Sequence, residues 1–411
     1  MILLTLLIFS LIVSTAYTKN LRRSVTNAPR TGTSPTQQSS LPNAQFPKVS
    51  VIVPAYNEAE NIRDCAIAIL ESTSLSVDNL EVLIVDDRST DDTLAIAQTL
   101  QQQLNDPRLK ILAGQARPAN QYWAGKNWAC AEAVQVATGD FLLFIDADVR
   151  LKLGAIETAI ATVETEKIDL LTCMPALVCD CFAEWLVQPL MFNHLAVCFD
   201  FTAVNDPTTD SAFAAGPFML FRRSAYDKIG GHAAVAAEIV EDVELSRRIK
   251  RAGLKLALYA GSNLAFVRMY RSWSALWEGW TKNLYLGANR SWGMMVYMAA
   301  IMLFLYPIPW LALAILLANG EIANIITNYQ LPITNYQLPI TLLTICFSIF
   351  VIWQQYNLRR LGAEISDCST KYWWLGGLGG TLVAAIAIGS AIKTETGWGW
   401  TWRGRALQIK S

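Results

Sequence analysis

Phe141-Leu-Leu-Phe-Ile145-Asp146-Ala147-Asp148-Val149 is the stretch on which the fold turns. Its apolar residues do not alternate with polar ones. Such a run reads as a strand buried on both faces, as strands of parallel sheets are. The strand ends in two acids one residue apart. On extended backbone alternate side chains point the same way, so Asp146 and Asp148 can face one cation. Hard carboxylate oxygens suit Mg²⁺ or Mn²⁺, and such an ion would bridge a diphosphate. Two solvated turn acids are the plainer alternative, against which the fully apolar strand before them argues.

Working outward, Val49–Val53 and Val82–Val85 are further β-branched runs. Strands and helical patterns alternate from Lys48 to about Met269. That alternation predicts an α/β domain over 48–270, with a mainly parallel sheet covered on both faces. Ligands of such sheets bind just past the carboxyl ends of the strands. The first run leads into Pro54-Ala-Tyr56-Asn57-Glu58. There Tyr56 could stack on a nucleobase and Glu58 could hold the base or ribose. A polar turn opening a helix fits that fragment equally well. The second run leads into Asp86-Asp87-Arg88-Ser89-Thr90. A helix start capped by Ser89 or Thr90 explains the residues after the acids. It does not explain Asp86 and Asp87, which are costly on a strand end unless solvated or bound.

Gly125-Lys126 opens the helical pattern Ala129–Val136. Lys126 is thereby placed near a helix amino terminus, suited to an anionic sugar nucleotide. An exposed lysine beside a turn glycine is the alternative. Beyond it lies Glu238-Ile-Val-Glu241-Asp242-Val-Glu244. Glu238 and Glu244 read as dipole complements, with Glu244 four residues before Arg248. Glu241-Asp242 is the candidate for a general base, the carboxylate that takes an acceptor's proton at the moment of attack. His232, after Gly230-Gly231, reads as a structural turn residue.

The remainder is membrane-like. Of 411 residues, 53% are hydrophobic and only 16% charged, too apolar a balance for an ordinary soluble chain. Residues 1–18 read as a retained transmembrane anchor, with the basic flank Lys19, Arg22 and Arg23 inside. Residues 19–47 read as a flexible linker and 271–293 as an interfacial amphipathic segment. Residues 294–392 read as a membrane domain with candidate spans 294–318, 338–353 and 373–392. Pro307 and Pro309 should kink the first of these. Residues 393–411 form a basic tail. Four crossings would leave that tail outside, against the positive-inside rule, so one segment is expected to be re-entrant, near Gly376–Gly380. The repeated ITNYQLP of Ile326–Pro332 and Ile333–Pro339 reads as an inserted loop. The expected location is a multi-pass inner membrane, with the α/β domain in the cytoplasm. A net charge of −1 gives no basic field for nucleic acid, and eight scattered cysteines with two histidines give no zinc site.

Taken in order, Pro54-Ala-Tyr56-Asn57-Glu58, Val85-Asp86-Asp87, Gly125-Lys126, Asp146-Ala-Asp148 and Glu241-Asp242 resemble the family-2 inverting glycosyltransferases, over about Val49 to Arg251. The resemblance implies a GT-A fold, a Rossmann-like α/β domain here joined to N- and C-terminal transmembrane helices. It implies a nucleotide-diphosphate sugar as donor, with Pro54, Tyr56, Glu58, Asp86, Asp87, Lys126 and Asp146 binding it. It places a divalent cation, Mg²⁺ or Mn²⁺, on Asp146 and Asp148, and the base at Asp242. Glu241 beside that base, and Arg271 toward a leaving diphosphate, are secondary candidates. Many relatives carry Gly where this chain has Arg88. The Q-x-x-R-W motif of processive synthases is missing, which implies transfer of one sugar. The membrane layout, Arg268-Met-Tyr-Arg271 and Thr401-Trp-Arg-Gly-Arg405 are similar to bacterial enzymes that glycosylate carotenoids or hopanoids. The implied acceptor is a lipophilic hydroxylated molecule in the membrane lipid, a carotenoid first. A polyprenyl-phosphate sugar transferase and a non-catalytic membrane scaffold are the alternatives.

Overall fold

The computed structural model of the protein describes residues 2–32, 46–320 and 337–407. It contains two compact units. One is α/β and is built from Asn27–Val178, Phe199–Met269 and the segment from Arg403 onward. The other is helical and is built from Met1–Thr26, Cys179–Cys198 and Tyr270–Trp402.

The α/β unit carries β1 (Val49–Ala55), β2 (Leu80–Asp86), β3 (Leu109–Ala113), β4 (Phe141–Phe144) and β5 (Val149–Leu151). It continues with β6 (Leu170–Met174), β7 (Ala176–Leu177), β8 (Met219–Arg222), β9 (Leu256–Ala260) and β10 (Ala265–Val267). Seven strands form one sheet in the order β3-β2-β1-β4-β8-β6-β9, and β5-β10-β7 form a small second sheet. In the large sheet β3, β2, β1 and β4 run parallel, β8 is antiparallel to both neighbours, and β6 and β9 are again parallel. The mainly parallel α/β sheet expected from the sequence is therefore present.

Every residue of β2 and β4 is buried, as is all of β1 except Pro54. Helices pack on both faces, and each fully buried Val or Ile contributes on the order of 1.5–3 kcal/mol. The register matters for function. Ala55 lies opposite Asp86, and Ile52 opposite Phe144, with all three strands parallel. Tyr56, Asp87 and Asp146 therefore leave the sheet at one edge, side by side.

In the helical unit, Ile2–Thr26, Leu338–Ser366 and Trp373–Thr396 are each long and apolar enough to cross a membrane. Trp292–Leu305 and Pro307–Ala318 pass the same test as a pair bent by 42°. These helices make the protein membrane-associated. The first helix runs past the expected 1–18 anchor to Thr26, and the second runs past 353 to Ser366. The break lies at Pro307, where the prolines predicted a kink, and not at Gly376–Gly380. Those glycines lie within one helix, Gly376–Thr396, because they let it approach its neighbours: a Cβ on Gly380 would meet Tyr306 and one on Gly379 the Leu186 carbonyl. Pro309 has no N–H to offer Leu305. Gln355 Nε2 donates instead to the Leu305 and Tyr306 carbonyls, at 2.9 and 3.0 Å. Hydrocarbon offers no water for such freed groups.

Helix Phe182–Cys198, expected inside the α/β domain, clusters with the helical unit. Its apolar residues are interrupted by Glu184, Gln188 and His194, so its sequence reads as too polar for a span. These polar groups find partners: Glu184 accepts from the Asp180 and Cys181 N–H groups, and Gln188 from Trp280 Nε1 at 2.6 Å. The basic tail divides as well, with residues through Trp402 in the helical unit and those from Arg403 in the α/β unit. Of the expected 19–47 linker, residues 19–26 belong to the first helix and 33–45 lie outside the described residues, as does most of the ITNYQLP repeat.

Candidate active site

The turn after β1 places Tyr56, Asn57 and Glu58 at the strand edge. Asn57 adopts a left-handed φ of 53°, which its short side chain tolerates. Ser89 and Thr90 were expected to cap a helix, but that helix starts at Thr93 behind Asp92. They brace the neighbouring turn instead. Ser89 Oγ accepts from the Asn57 N–H at 3.0 Å, and the Thr90 N–H donates to Asn57 Oδ1 at 2.8 Å. Arg88 has a φ of 60°. Glycine adopts that conformation without cost, whereas in arginine it costs roughly 1–2 kcal/mol.

Asp86 and Asp87 are both buried. Asp86 accepts from the Ser89 N–H. Asp87 Oδ2 takes two guanidinium groups, Arg117 at 2.7 Å and Arg405 at 2.6 Å. Helix Gly125–Val136 begins against this cluster. A Cβ on Gly125 would collide with Asp87 Oδ2, so only glycine lets the helix start approach so closely. Pro54 sits in β1 opposite Val85, directly before the turn. Glu58 is tied to Asn61 Nδ2 at 2.8 Å and to Arg403 at 2.9 Å.

Lys126 is the hub of the second half of the site. Its ammonium is 2.7 Å from Asp146 Oδ1 and 2.8 Å from Glu241 Oε1. Burial alone would lower its pKa, but the charges of Asp146, Glu241 and Asp242 hold it well above the ordinary lysine value. Asp242 lies in the first turn of helix Glu241–Arg251. Its oxygens accept from the Val243 N–H at 2.8 Å and the Gly216 N–H at 3.0 Å. A Cβ on Gly216 would sit 3.0 Å from the Asp242 carboxylate and 3.1 Å from the Lys126 ammonium. Both groups thus line one glycine. Burial, and then the Glu241 charge, push Asp242 up to about 7, against the opposing pull of Lys126 and the two backbone donors.

Asp146 and Asp148 leave β4 beside Glu58. Burial, then the charges of Asp146 and Glu58, raise Asp148 well above the carboxylate range. Burial, opposed by Arg403, raises Glu58 in the same sense. Asp148 Oδ1 is buried without a hydrogen-bond partner. Two acids of like charge with an unpartnered oxygen fit a cation. No three His, Cys, Asp or Glu side chains among the described residues could hold a metal by themselves, so a bound diphosphate would supply further oxygens.

Tyr56, Glu58, Asp86 and Asp87 are gathered by the parallel strand ends, and Lys126 joins Asp146 to Glu241, next to Asp242. Arg271 falls in the helical unit rather than in the α/β unit that holds these residues. His232 is structural, as expected. It is buried against Phe144, with Nδ1 2.8 Å from the Tyr226 hydroxyl, and burial lowers its pKa to about 3.

The sequence reading missed Arg117, Gly216 and Asn127. The Gly216-Pro217 dipeptide signals a turn but names no partner. Asn127 is fully buried and donates to the carbonyls of Val235, Ala236 and Glu238, at 2.7, 3.2 and 2.8 Å. It fixes the Lys126 helix to the loop that leads into Asp242. Replacing it with alanine strands three carbonyls. We expect Asn127→Ala to lower stability by about 1–3 kcal/mol in chemical denaturation.

A family model described as "Glycosyl transferase family 2" matches residues 50–230, and one described as "Glycosyl transferase family group 2" matches residues 141–386. A 4,4'-diaponeurosporenoate glycosyltransferase of Staphylococcus haemolyticus is 28% identical over 252 residues, 59% of this chain and 62% of that protein. The protein of the same name from Staphylococcus aureus (strain MRSA252) is 29% identical over 269 residues, 64% of this chain and 67% of that one. A solved structure of a mannosyltransferase from Pyrobaculum calidifontis, in complex with GDP-Man and Mn²⁺, superposes with a TM-score of 0.52 at 15% identity. The superposition covers 96% of this chain and 99% of that one, and it supports the GT-A fold. Residues, fold and family models agree, and the chain belongs to glycosyl transferase family 2.

Proposed function

We propose that this protein transfers one sugar from a nucleotide diphosphate to a carotenoid-type acceptor, inverting the anomeric centre. The observation that carries the proposal is the half-buried Asp242 carboxylate, which lines Gly216 together with the Lys126 ammonium. It is poised near neutral pH beside Lys126, which itself pairs with Asp146 of the D-x-D pair. Asp242 accepts the proton of an acceptor hydroxyl as the oxygen attacks the anomeric carbon from the face opposite the nucleotide. Two backbone N–H groups hold the carboxylate in place for that transfer. Lys126 sits between base and diphosphate and offsets negative charge that grows on the departing group. Tyr56, Asp86, Asp87 and Glu58 bind the nucleoside end. Asp146 and Asp148 would hold a Mg²⁺ or Mn²⁺ ion, which supplies Lewis-acid stabilisation of the leaving diphosphate when bound.

The membrane helices serve the acceptor. A lipophilic molecule concentrates in the bilayer, and anchoring the enzyme there supplies proximity. The basic flank of the first helix, Lys19, Arg22 and Arg23, supports a cytoplasmic α/β unit. A second reading is favoured by the names of the staphylococcal relatives, in which the molecule glycosylated, diaponeurosporenoate, is a carboxylate. A carboxylate acceptor reaches the site already deprotonated and needs no base.

Mass-spectrometric profiling of pigments and lipids in a deletion strain tests the proposal. We expect a glycosylated carotenoid to vanish and its aglycone to accumulate. Intact carotenoid glycosides alongside a missing polyprenyl-phosphate sugar would overturn it.

A further inference from the structure

Two arginines far along the chain reach the pocket at the ends of β1 and β2. Arg405 Nη1 lies 2.6 Å from Asp87 Oδ2, and its Nη2 donates to the Asp87 carbonyl at 3.0 Å. Its guanidinium carbon stands 3.6 Å from the centroid of the Tyr56 ring. Arg403 forms an ion pair with Glu58 at 2.9 Å and donates to the Asn57 carbonyl. Asn57 Nδ2 in turn donates to the Arg403 carbonyl at 3.3 Å. One short segment thus spans the turns after β1 and β2, from Asp87 and Tyr56 to Glu58, the residue of this group beside which Asp146 and Asp148 leave β4.

Charge explains why it is there. Glu58, Asp86, Asp87, Asp146 and Asp148 cluster at the strand ends where the proposed donor, an anion, would bind. Lys126 is already shared between Asp146 and Glu241, and Arg117 is engaged by Asp87. Without further cations, a nucleotide diphosphate would enter a field of like charge. Guanidinium groups pair with carboxylates and phosphates alike and stack on aromatic rings and bases.

We infer that Arg403 and Arg405 are donor-binding residues, Arg405 at the nucleobase end and Arg403 at the diphosphate end. The inference rests on the proposed sugar-nucleotide chemistry. Arg405 holds Tyr56 and Asp87 in register and offers a stacking surface to the base. Arg403 screens Glu58 and turns toward the phosphates.

The test is isothermal titration of the detergent-solubilised full chain with UDP, GDP and their monophosphates, in Mn²⁺. If the unaltered protein binds none of them, the sugar-nucleotide reading itself falls. If it binds one, the variants decide the present inference. Arg405→Ala is expected to weaken monophosphate and diphosphate alike, by about 10- to 100-fold. Arg403→Ala is expected to weaken the diphosphate by a similar factor and the monophosphate several-fold less. Arg405→Lys keeps the charge but loses the fork, and should restore affinity only in part. Equal losses for both ligands in Arg403→Ala would reduce that residue to a structural prop. Unchanged or tighter binding in either alanine variant would make the segment a plug that the donor must displace, and would overturn the inference.

Discussion

Asp242→Asn is expected to lower the rate constant of transfer by about 10²- to 10⁴-fold while donor binding persists. Asparagine keeps the size of the side chain, and its amide oxygen can still accept from the Gly216 N–H. The capacity to take a proton is lost. The unaltered enzyme should show the corresponding pH dependence. Asp242 acts only when ionised, and it sits at about 7. Activity should therefore fall about tenfold per pH unit below 7 and level off above it. The variant should lose that limb and keep a flat residual rate. The measurement is a steady-state pH profile beside donor titration. Donor binding lost together with turnover would remove Asp242 from the base role. Full activity in the variant would favour an acceptor oxygen that is already an anion.

The second large effect is expected at Asp148. We expect Asp148→Asn to lower transfer by about 10²- to 10³-fold, and chelation of divalent ions to do the same to the unaltered protein. Asp148 is half-buried, its Oδ1 is shut away from solvent with no hydrogen-bond partner, and its neighbours Asp146 and Glu58 repel it. A site of that kind is unfavourable until a cation arrives. The amide removes the repulsion, so the metal-free variant should melt no lower than the metal-free parent. This pairing separates a functional loss from a folding defect. Full turnover in excess chelator would exclude the cation role of Asp146 and Asp148.

Much of this site was legible in the sequence because strand ends carry strong signals. Uninterrupted apolar runs announce buried strands, and acids placed directly after them have few structural excuses. Asp86, Asp87, Asp146 and Asp148 are all of this kind. Lys126 was legible in position but not in role, since its pairing with both Asp146 and Glu241 needs tertiary geometry. Arg117 lies in a loop with no periodicity, and an arginine there looks like any solvated cation. Asn127 makes its three hydrogen bonds to carbonyls, a contact that leaves no trace in residue chemistry. Ser89 and Thr90 misled because a hydroxyl before a helix resembles a cap, whereas here it braces the adjoining turn. Helix Phe182–Cys198 falls within the α/β span expected from the sequence because its polar side chains lower its apparent hydrophobicity, although Glu184 is met by the turn before the helix and Gln188 by Trp280.

The contacts of Arg403 and Arg405 also bear on how the protein is made. They join residues 346 and 318 positions apart in the chain. During synthesis the β1 and β2 edge leaves the ribosome long before its two guanidinium partners. Within that interval every apolar helix of the membrane unit except Ile2–Thr26 must be threaded into the bilayer. A nascent chain stalled at Trp402 would therefore display a finished sheet with Glu58 and Asp87 still lacking these cations.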